Sequence, residues 1–371
     1  MHRAVSCRQI TESGGKISII VRCLHNHNWY TSLAQSYDEE ITALADTEFN
    51  LIDRYFSALS PPRHDVVLGI GDDCALLKST PDKLLAVSMD TLVSGVHFLP
   101  DTDPVALGHK ALAVNLSDLA AMGAAPAWVS LALTLPQVDE TWLAGFCEGF
   151  GALARQHGVQ LIGGDTTHGP LAITVQVQGW VEPAHALCRS GAQVGDAIFV
   201  TGTPGDAALG LALLQQDPKQ ASLCAAAEPF RADLCRRLER PTARIAQGLD
   251  LAGLAHAAID VSDGLAQDLG HILQQSGVGA DLWVERLPLS AALNSLPQRT
   301  DALALALGGG DDYELCFTVP PAQCAELKRR AAAWDCACTE IGRIRAEPGL
   351  RCLWDDGSPF LLESAGYEHF R

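Results

Sequence analysis

Aspartates that follow short apolar stretches are the feature that most constrains how this chain can fold. The clearest case is GIGDDCALL, residues 69–77, in which an apolar segment at 66–68 runs through two glycines into Asp72 and Asp73. Two carboxylates about 4 Å apart repel each other by roughly 1 to 4 kcal/mol, depending on the effective dielectric. We therefore expect positive charge nearby, although for this segment alone a solvated polar turn is the alternative interpretation.

Similar aspartate-bearing strand ends recur four more times, and a further acidic residue lies in the apolar helix predicted at 103–122. The segments concerned are SMDT, NLSD, GGDTTHG, DVSDG and GGGDDYEL, and their aspartates include Asp90, Asp118, Asp165, Asp260, Asp263 and Asp311. We expect GGDTTHG to lie between two strands. Asp118 is surrounded by apolar neighbours in sequence, so its charge requires a partner.

The order of the elements predicts a two-domain α/β protein with a cleft between the halves. The first unit, 47–185, alternates strands near 66–70, 84–88, 128–135, 159–162 and 171–181 with helices near 103–122 and 140–157. A break near Glu182 and Pro183 leads to a second unit, 186–371, with the same alternation. Residues 1–46 have little apolar periodicity, and we expect them to form a disordered or loosely attached extension.

Composition narrows the classes of partner. The 371 residues are 48% hydrophobic and carry a net charge of −18, so we expect a folded protein whose main partner is neither nucleic acid nor an anionic membrane. No apolar run reaches the ~20 residues that a membrane span needs. The 12 cysteines are scattered, which is typical of reduced thiols in a cytoplasmic protein.

The aspartates suit a hard cation that binds phosphates. All-oxygen ligand sets favour Mg²⁺, which takes one or two carboxylates together with water and substrate phosphates, and several shared aspartates would hold several ions. Glycines beside these acids would let backbone N–H groups approach phosphate oxygens. No serine lies in a G-x-S-x-G elbow, as expected for phosphoryl transfer, which depends mainly on positioning and charge neutralisation.

One glycine-rich segment is interpreted as structural. TGTPGDAALG, residues 201–210, joins a predicted strand to a helix and could cradle a phosphate. It lacks the lysine and Ser/Thr of a P-loop and the spacing of a dinucleotide fingerprint, so we expect only a turn.

Taken together, the motifs resemble those of the thiamine-monophosphate kinase family, from about Thr47 to the closing GYEHF. They are, in order, GIGDDCALL, SMDTLVSGVHF, KALAVNLSDLAAMGA, LIGGDTT, RSGAQVGD, IDVSDGL, DLGHIL and GGDDYELCFTVP. GIGDD is shared with relatives such as aminoimidazole ribonucleotide synthetase, selenophosphate synthetase and a hydrogenase maturation protein. The resemblance implies a two-domain aminoimidazole ribonucleotide synthetase-like fold, with mixed sheets, helices and an active site in the interdomain cleft.

The same resemblance implies an activity and a set of residue roles. The expected reaction is ATP- and Mg²⁺-dependent phosphorylation of thiamine monophosphate to thiamine diphosphate, the last step of thiamine diphosphate biosynthesis, by direct transfer in a cytoplasmic homodimer. The implied metal ligands are Asp73, Ser88, Met89, Asp90, Asp118, Asp165, Asp260 and Asp263. The implied ATP contacts are Gly164, Asp165, Arg189 and Ser262, and the implied substrate contacts are His97, Asp311 and Tyr367.

Two residues depart from the family pattern. Met89 stands where the family has threonine, which changes little if the residue contributes its main-chain carbonyl. Asp311 stands where the family has glutamate, one methylene longer, and a water could bridge the difference. Without the resemblance, Arg189 could be a surface ion pair and His97 a strand-end histidine. The alternative functions are another ATP-dependent synthetase of this superfamily and a non-catalytic binder of Mg²⁺ and nucleotide.

Overall fold

The structure is a computed structural model that describes residues 5–13, 16–25, 28–33, 48–216, 218–362 and 364–367. The chain forms two compact units, Met1–Phe49 and Asn50–Arg371. The first unit contains an antiparallel sheet of β1 (Val5–Ser13), β2 (Lys16–His25) and β3 (Asn28–Leu33), in that order. The sequence analysis expected residues 1–46 to form a disordered or loosely attached extension, and residues 1–4, 14–15, 26–27 and 34–46 lie outside the described residues. The expectation of a disordered or loosely attached extension stays a prediction.

The chain from Glu48 onward alternates helices and strands. The helices are α1 (Glu48–Leu51), continued by a π-helical turn at Ile52–Phe56, α2 (Pro104–Ala121), α3 (Glu140–His157), α4 (Asp206–Gln215), α5 (Ala221–Ala227), α6 (Arg231–Glu239), α7 (Ile245–Leu251), α8 (Leu265–Ser276), α9 (Ala291–Asn294), α10 (Arg299–Gly308) and α11 (Cys324–Ala331). The strands are β4 (Val66–Leu68), β5 (Leu76–Leu77), β6 (Leu84–Val93), β7 (Ala125–Leu135), β8 (Gln160–His168), β9 (Ala172–Val181), β10 (Ala197–Thr201), β11 (Ala257–Val261), β12 (Gly279–Trp283), β13 (Glu314–Val319), β14 (Cys338–Arg345) and β15 (Gly349–Leu353). No helix in the described part of the chain is long and apolar enough to cross a bilayer.

Two mixed sheets organise the second unit. The first has the order β6-β9-β7-β8, in which only β7 and β8 are parallel. The second has the order β11-β13-β10-β14-β12-β15, in which only β12 and β15 are parallel. Strands β10, β11 and β13 are buried on both faces, which explains why most of their residues are apolar. The predicted two-half α/β fold with mixed sheets is confirmed.

Helix α2 links the two halves, since it packs against β6 and β9 on one side and against β11 and α7 on the other. Its start is fixed by Asp103, whose carboxylate accepts the N–H of Ala106 at 2.8 Å, and by Pro104 in the first turn. Nearly all of its residues are buried. The polar side chains on the faces of α2 that contact β6 and β11 therefore lie at the junction of the halves.

Two glycines let α2 lie unusually close to α3. A Cβ atom on Gly108 would overlap the carbonyl oxygen of Phe146, and one on Gly149 would overlap that of Val105. Because glycine has no side chain, each of these residues leaves room for the backbone of the other helix. This reciprocal contact sets the depth of α2 and, with it, the position of its polar residues.

The observed boundaries of two segments differ from those predicted from the sequence. Strand β6 continues past Ser88 through Asp90 to Val93, because β9 pairs with it along its full length. The segment GGDTTHG, expected between strands, lies largely within β8, where Gly164 pairs with Leu131 of β7. A Cβ atom at Gly164 would overlap the Leu131 carbonyl oxygen, so the glycine serves close strand approach here.

Candidate active site

A cluster of carboxylates lies where β6, α2 and β11 meet. The backbone N–H of Asp90 donates to the Asn115 side chain of α2 at 3.0 Å, and the Ser88 hydroxyl donates to Asp118 at 2.5 Å. Asp260, at the end of β11, is buried and lies close enough to Asp118 and Asp90 for mutual repulsion. The structure therefore brings together acids from both halves, as the sequence analysis expected.

The electrostatics of this cluster indicate an excess of negative charge. Burial, followed by repulsion from Asp118 and Asp263, raises the pKa of Asp90 to about 6. Burial also raises the pKa of Asp118, against the opposing effects of the Ser88 hydrogen bond and the Arg189 charge. The pKa of Asp260 is raised by burial and then by Asp118. A bound cation would relieve this repulsion, and the oxygen-only donor set fits magnesium.

The carboxylates are spread rather than gathered round one point. Within the residues that the structure describes, no three His, Cys, Asp or Glu side chains lie close enough together to hold a single metal ion. Magnesium needs only one or two protein carboxylates when water and substrate phosphates complete its shell. The arrangement thus fits ions shared with a phosphate ligand better than an all-protein cage.

Asp268, which the sequence analysis missed, holds the loop that carries Asp263. Its Oδ2 atom accepts the N–H groups of Ser262, Asp263 and Gly264 at 3.0 to 3.1 Å. The carboxyl group therefore fixes the turn that follows Asp260 and leads into α8. The sequence signal for this role of Asp268 was an acidic residue in the first turn of the helix that follows DVSDG.

Arg189 lies beside the cluster with its side chain exposed. Its charge opposes the rise that burial causes in the pKa of Asp118, which places the guanidinium near that carboxylate. The Ser276 hydroxyl donates to the Arg189 carbonyl at 3.1 Å and accepts the N–H of Gly191, so α8 fixes this loop. The position of Arg189 suits a contact with ATP, and this role stays a prediction.

Asp73 and Asp165 are both exposed, and their roles as metal ligands stay predictions. Asp73 is exposed in the turn between β4 and β5, and Asp72 shapes that turn by accepting the Asp73 N–H at 2.9 Å. Asp165 is exposed on β8 and lies in the same cross-strand row as Thr91 of β6. Since β6 and β8 are the two edges of a four-stranded sheet, that row spans about 14 Å.

Met89 points away from the cluster. Side chains alternate along β6, so the neighbours Ser88 and Asp90 face α2 while Met89 faces outward and is 60% exposed. The methionine side chain therefore does not compete with the carboxylates. Only its main-chain carbonyl remains as a possible ligand, in agreement with the interpretation made from the sequence.

A cavity lies next to the cluster and contains two of the predicted substrate residues. His97 and Asp311 line it together with Lys110 and Glu239, and its apolar wall consists of Val96, Phe98, Leu99, Leu211, Leu214 and Leu238. The Nδ1 atom of His97 accepts the N–H of Val93 at 3.0 Å, which holds the imidazole at the end of β6. The buried Tyr313 joins the cavity to the cluster, since its hydroxyl donates to Asp311 at 3.0 Å and its environment includes the charges of Asp90 and Asp260.

The third predicted substrate residue, Tyr367, lies on the cluster side. Its N–H donates to the carbonyl of Asp263 at 3.0 Å, and its carbonyl accepts from the Gln267 side chain at 2.9 Å. Tyr367 is about half exposed and is not among the described residues that line the cavity. The chain thus returns near its end to the loop that carries Asp263.

The residues that follow Asp311 in GGGDDYEL have structural tasks that the sequence did not reveal. The buried carboxyl group of Asp312 accepts the N–H groups of Gly205 and Ala207, at 2.6 and 3.2 Å, at the start of α4. The interpretation of TGTPGDAALG as structural agrees with this, because a side chain of the protein itself fills the place where a phosphate would bind. Glu314 is fully buried among two arginines and a threonine.

Comparison with known proteins agrees with this geometry. The family models for the N-terminal and C-terminal domains of AIR synthase related proteins match residues 71–181 and 193–355. The thiamine-monophosphate kinase of Escherichia coli K12 is 51% identical over 332 residues, which cover 88% of this chain and 99% of that protein. The Bacillus subtilis thiamine-monophosphate kinase is 36% identical over 312 residues, covering 82% of this chain and 94% of that protein.

Solved structures of thiamine-monophosphate kinases also superpose on this chain. Thiamine-monophosphate kinase from Stenotrophomonas maltophilia superposes with a TM-score of 0.75 at 49% identity, covering 84% of this chain and 98% of that chain. AaThiL complexed with AMPPCP and TMP superposes with a TM-score of 0.67 at 34% identity, covering 88% of this chain and 97% of that chain. The resemblance noted from the motifs is confirmed, and this chain belongs to the thiamine-monophosphate kinase family.

Proposed function

We propose that this protein transfers the terminal phosphoryl group of ATP to thiamine monophosphate and so forms thiamine diphosphate. The observation that carries the proposal is the carboxylate cluster of Asp90, Asp118 and Asp260, built from both halves of the unit beside a cavity that contains His97 and Asp311. A relative at 34% identity has been solved with AMPPCP and TMP bound, a nucleotide analogue and a second ligand. The neighbouring cluster and cavity suit such a pair.

Magnesium is part of the proposal. Asp90, Asp118, Asp260 and Asp263 would hold the ions, helped by Ser88 and by the main-chain carbonyl of Met89. When bound, the ions would neutralise the phosphates and polarise the bond that breaks. The protein's own groups orient these ligands: Asn115 fixes the backbone of Asp90, and Asp268 fixes the loop of Asp263. No general base is required, because a phosphate monoester is mostly dianionic at neutral pH.

The two ligands would occupy adjacent places. Arg189, Gly164 and Ser262 are proposed to contact ATP, and Arg189 already lies beside Asp118. His97 and Asp311 are proposed to contact thiamine monophosphate in the cavity, whose apolar wall suits an aromatic ring. Tyr367 is proposed to close the site from the Asp263 side, where its backbone is held.

A homodimer is also proposed. Strand β6 is a sheet edge, and its outward face exposes Leu85, Val87 and Met89, each about half exposed or more. An exposed apolar strand edge is a common site for pairing with another chain. A second copy would cover this face and could bring further acids, such as Asp165, to the site. Light scattering should give the mass of a dimer, and the substitution Val87→Lys should give a monomer.

The metal roles can be tested at Asp118. We expect Asp118→Asn to lower thiamine-monophosphate-dependent ADP release by at least about a hundredfold, since metal ions supply several kcal/mol of charge stabilisation. The melting temperature should stay the same or rise, because the substitution relieves repulsion within the cluster. Asp233→Asn, on the exposed surface of α6, is the matched control and should behave as the wild type. Wild-type turnover in Asp118→Asn would contradict the assignment.

The cell compartment follows from the proposed chemistry. A kinase that consumes ATP and carries scattered thiols is expected in the cytoplasm. The cysteines that the structure describes are free thiols, which agrees with a reducing compartment. Fractionation of cells that express the protein would test this, and recovery in an oxidising compartment would contradict it.

A further inference from the structure

A buried lysine lies in the wall of the cavity that holds His97 and Asp311. Lys110 comes from α2, and its side chain is only 3% exposed. Its Nζ atom lies 3.3 Å from Oδ1 of Asp311. A lysine is rarely buried to this degree without a charged partner. The sequence signal was a second charged residue, besides Asp118, in the apolar run of α2.

Three contacts hold Asp311, one to its backbone and two to its carboxylate. Its N–H donates to the Ser262 carbonyl at 2.8 Å, and its carboxylate receives the Tyr313 hydroxyl at 3.0 Å. The third contact is the ion pair with Lys110. The backbone of Asp311 is in the left-handed region, with φ of 66°, which a residue other than glycine adopts only when its surroundings require it. The position of this carboxylate is therefore strongly determined.

Two further groups, Tyr313 and Glu239, lie near the ion pair of Lys110 and Asp311. Tyr313 lies between Asp311 and the acids Asp90 and Asp260, and burial followed by the Asp311 charge holds its pKa well above the ordinary value. Its proton therefore stays on and points to Asp311. On the cavity side, Glu239 also lies within range of the Lys110 charge. Lys110 offsets the charge of Asp311, and both side chains line the cavity.

We propose that Lys110 is a positioning residue for the phosphoryl acceptor: by holding the Asp311 carboxylate in the cavity wall, it sets the affinity for the acceptor and not for ATP. The inference rests on the function proposed above, with thiamine monophosphate as the acceptor. The cationic thiazolium ring of the acceptor would then meet a carboxylate of fixed position.

The test uses Lys110→Met, which keeps the length and apolar stem of lysine without its charge. We expect the KM for thiamine monophosphate to rise about tenfold, equivalent to about 1.4 kcal/mol, while the KM for ATP changes by less than about twofold. Calorimetric titration of the protein with thiamine monophosphate and AMPPCP should show the same tenfold loss without turnover. An equal loss for both ligands would overturn the inference.

A double-mutant cycle separates positioning from direct contact. In the Asp311→Asn background, Lys110→Met should raise the KM for thiamine monophosphate by less than about twofold, because the group it positions has already lost its charge. Fully additive effects would mean that Lys110 acts independently of Asp311 and would overturn the inference. If Lys110→Met does not fold, the same double-mutant cycle is measured with Lys110→Gln, whose side chain keeps a hydrogen-bond donor. A wild-type protein without thiamine-monophosphate-dependent ADP release would instead contradict the proposed function.

Discussion

The buried ion pairs of Glu314 give a quantitative prediction for stability. Its carboxylate accepts from Arg244 at 2.6 and 2.7 Å, from Arg237 at 2.7 Å and from the Thr201 hydroxyl at 2.6 Å. The Glu314 side chain is 0% exposed and that of Arg244 is 8% exposed. Replacing Glu314 by glutamine keeps the shape of the side chain but leaves both guanidinium groups without their buried anion.

The expected cost follows from that geometry. Removing one partner of a buried ion pair costs about 3 to 5 kcal/mol, and we take the lower end because glutamine retains one acceptor oxygen. At roughly 2 °C per kcal/mol for a large domain, Glu314→Gln should lower the Tm by about 6 °C. Differential scanning calorimetry of the purified protein measures this directly.

A matched control exists on the surface. Glu326 of α11 also pairs with two arginines, Arg329 and Arg330, but the pairs lie at the solvent-facing side of the helix. Glu326→Gln should leave the Tm unchanged within about 1 °C, because surface ion pairs contribute little. If Glu314→Gln and Glu326→Gln lower the Tm equally, the reasoning about the buried network is refuted.

Three further predictions concern packing, pH and the substrate cavity. Gly149→Ala should destabilise the protein by about 1 to 3 kcal/mol in denaturant unfolding, because the new methyl group would meet the Val105 carbonyl; unchanged stability would contradict the close contact of α2 and α3. Burial alone would raise the pKa of Glu314, but its arginine partners bring it below the ordinary 4.5. A carboxyl group whose pKa is lower in the folded protein stabilises the fold above pH 4.5, and this stabilisation is lost as the pH falls through the pKa of the folded state. The Tm difference between wild type and Glu314→Gln should therefore shrink below pH 4.5. For His97→Ala we expect a raised KM for thiamine monophosphate with ATP binding little changed, and weakened ATP binding alone would place His97 in the wrong part of the site.

Local sequence signals predicted the elements well where the controlling residues are close in sequence. The start of α3 is marked by Asp139, which accepts two N–H groups, and its end by Gly158 in the left-handed conformation. Both signals lie within a few residues of the element they limit. The segment GGDTTHG was placed wrongly between strands, because its glycines resemble a turn and the pairing with β7 that requires them is not a local property.

The candidate site was predictable as a set of acids but not as an arrangement. Asp90, Asp118 and Asp260 could be named from their segments, whereas their meeting depends on α2 lying between the halves. The task of Asp312 could not be inferred, because the Gly205 N–H that it binds lies 107 residues earlier in the chain. Lys110 was missed for the same reason, since its partner Asp311 is brought to it only by the packing of α2 against the second half.

The most direct test of the account is a coupled assay of the purified protein with Mg²⁺ and ATP, in the presence and absence of thiamine monophosphate. We predict that ADP is released only when thiamine monophosphate is present and that one thiamine diphosphate forms for each ADP. ADP release that is independent of thiamine monophosphate, or no release at all, would contradict the proposed kinase activity.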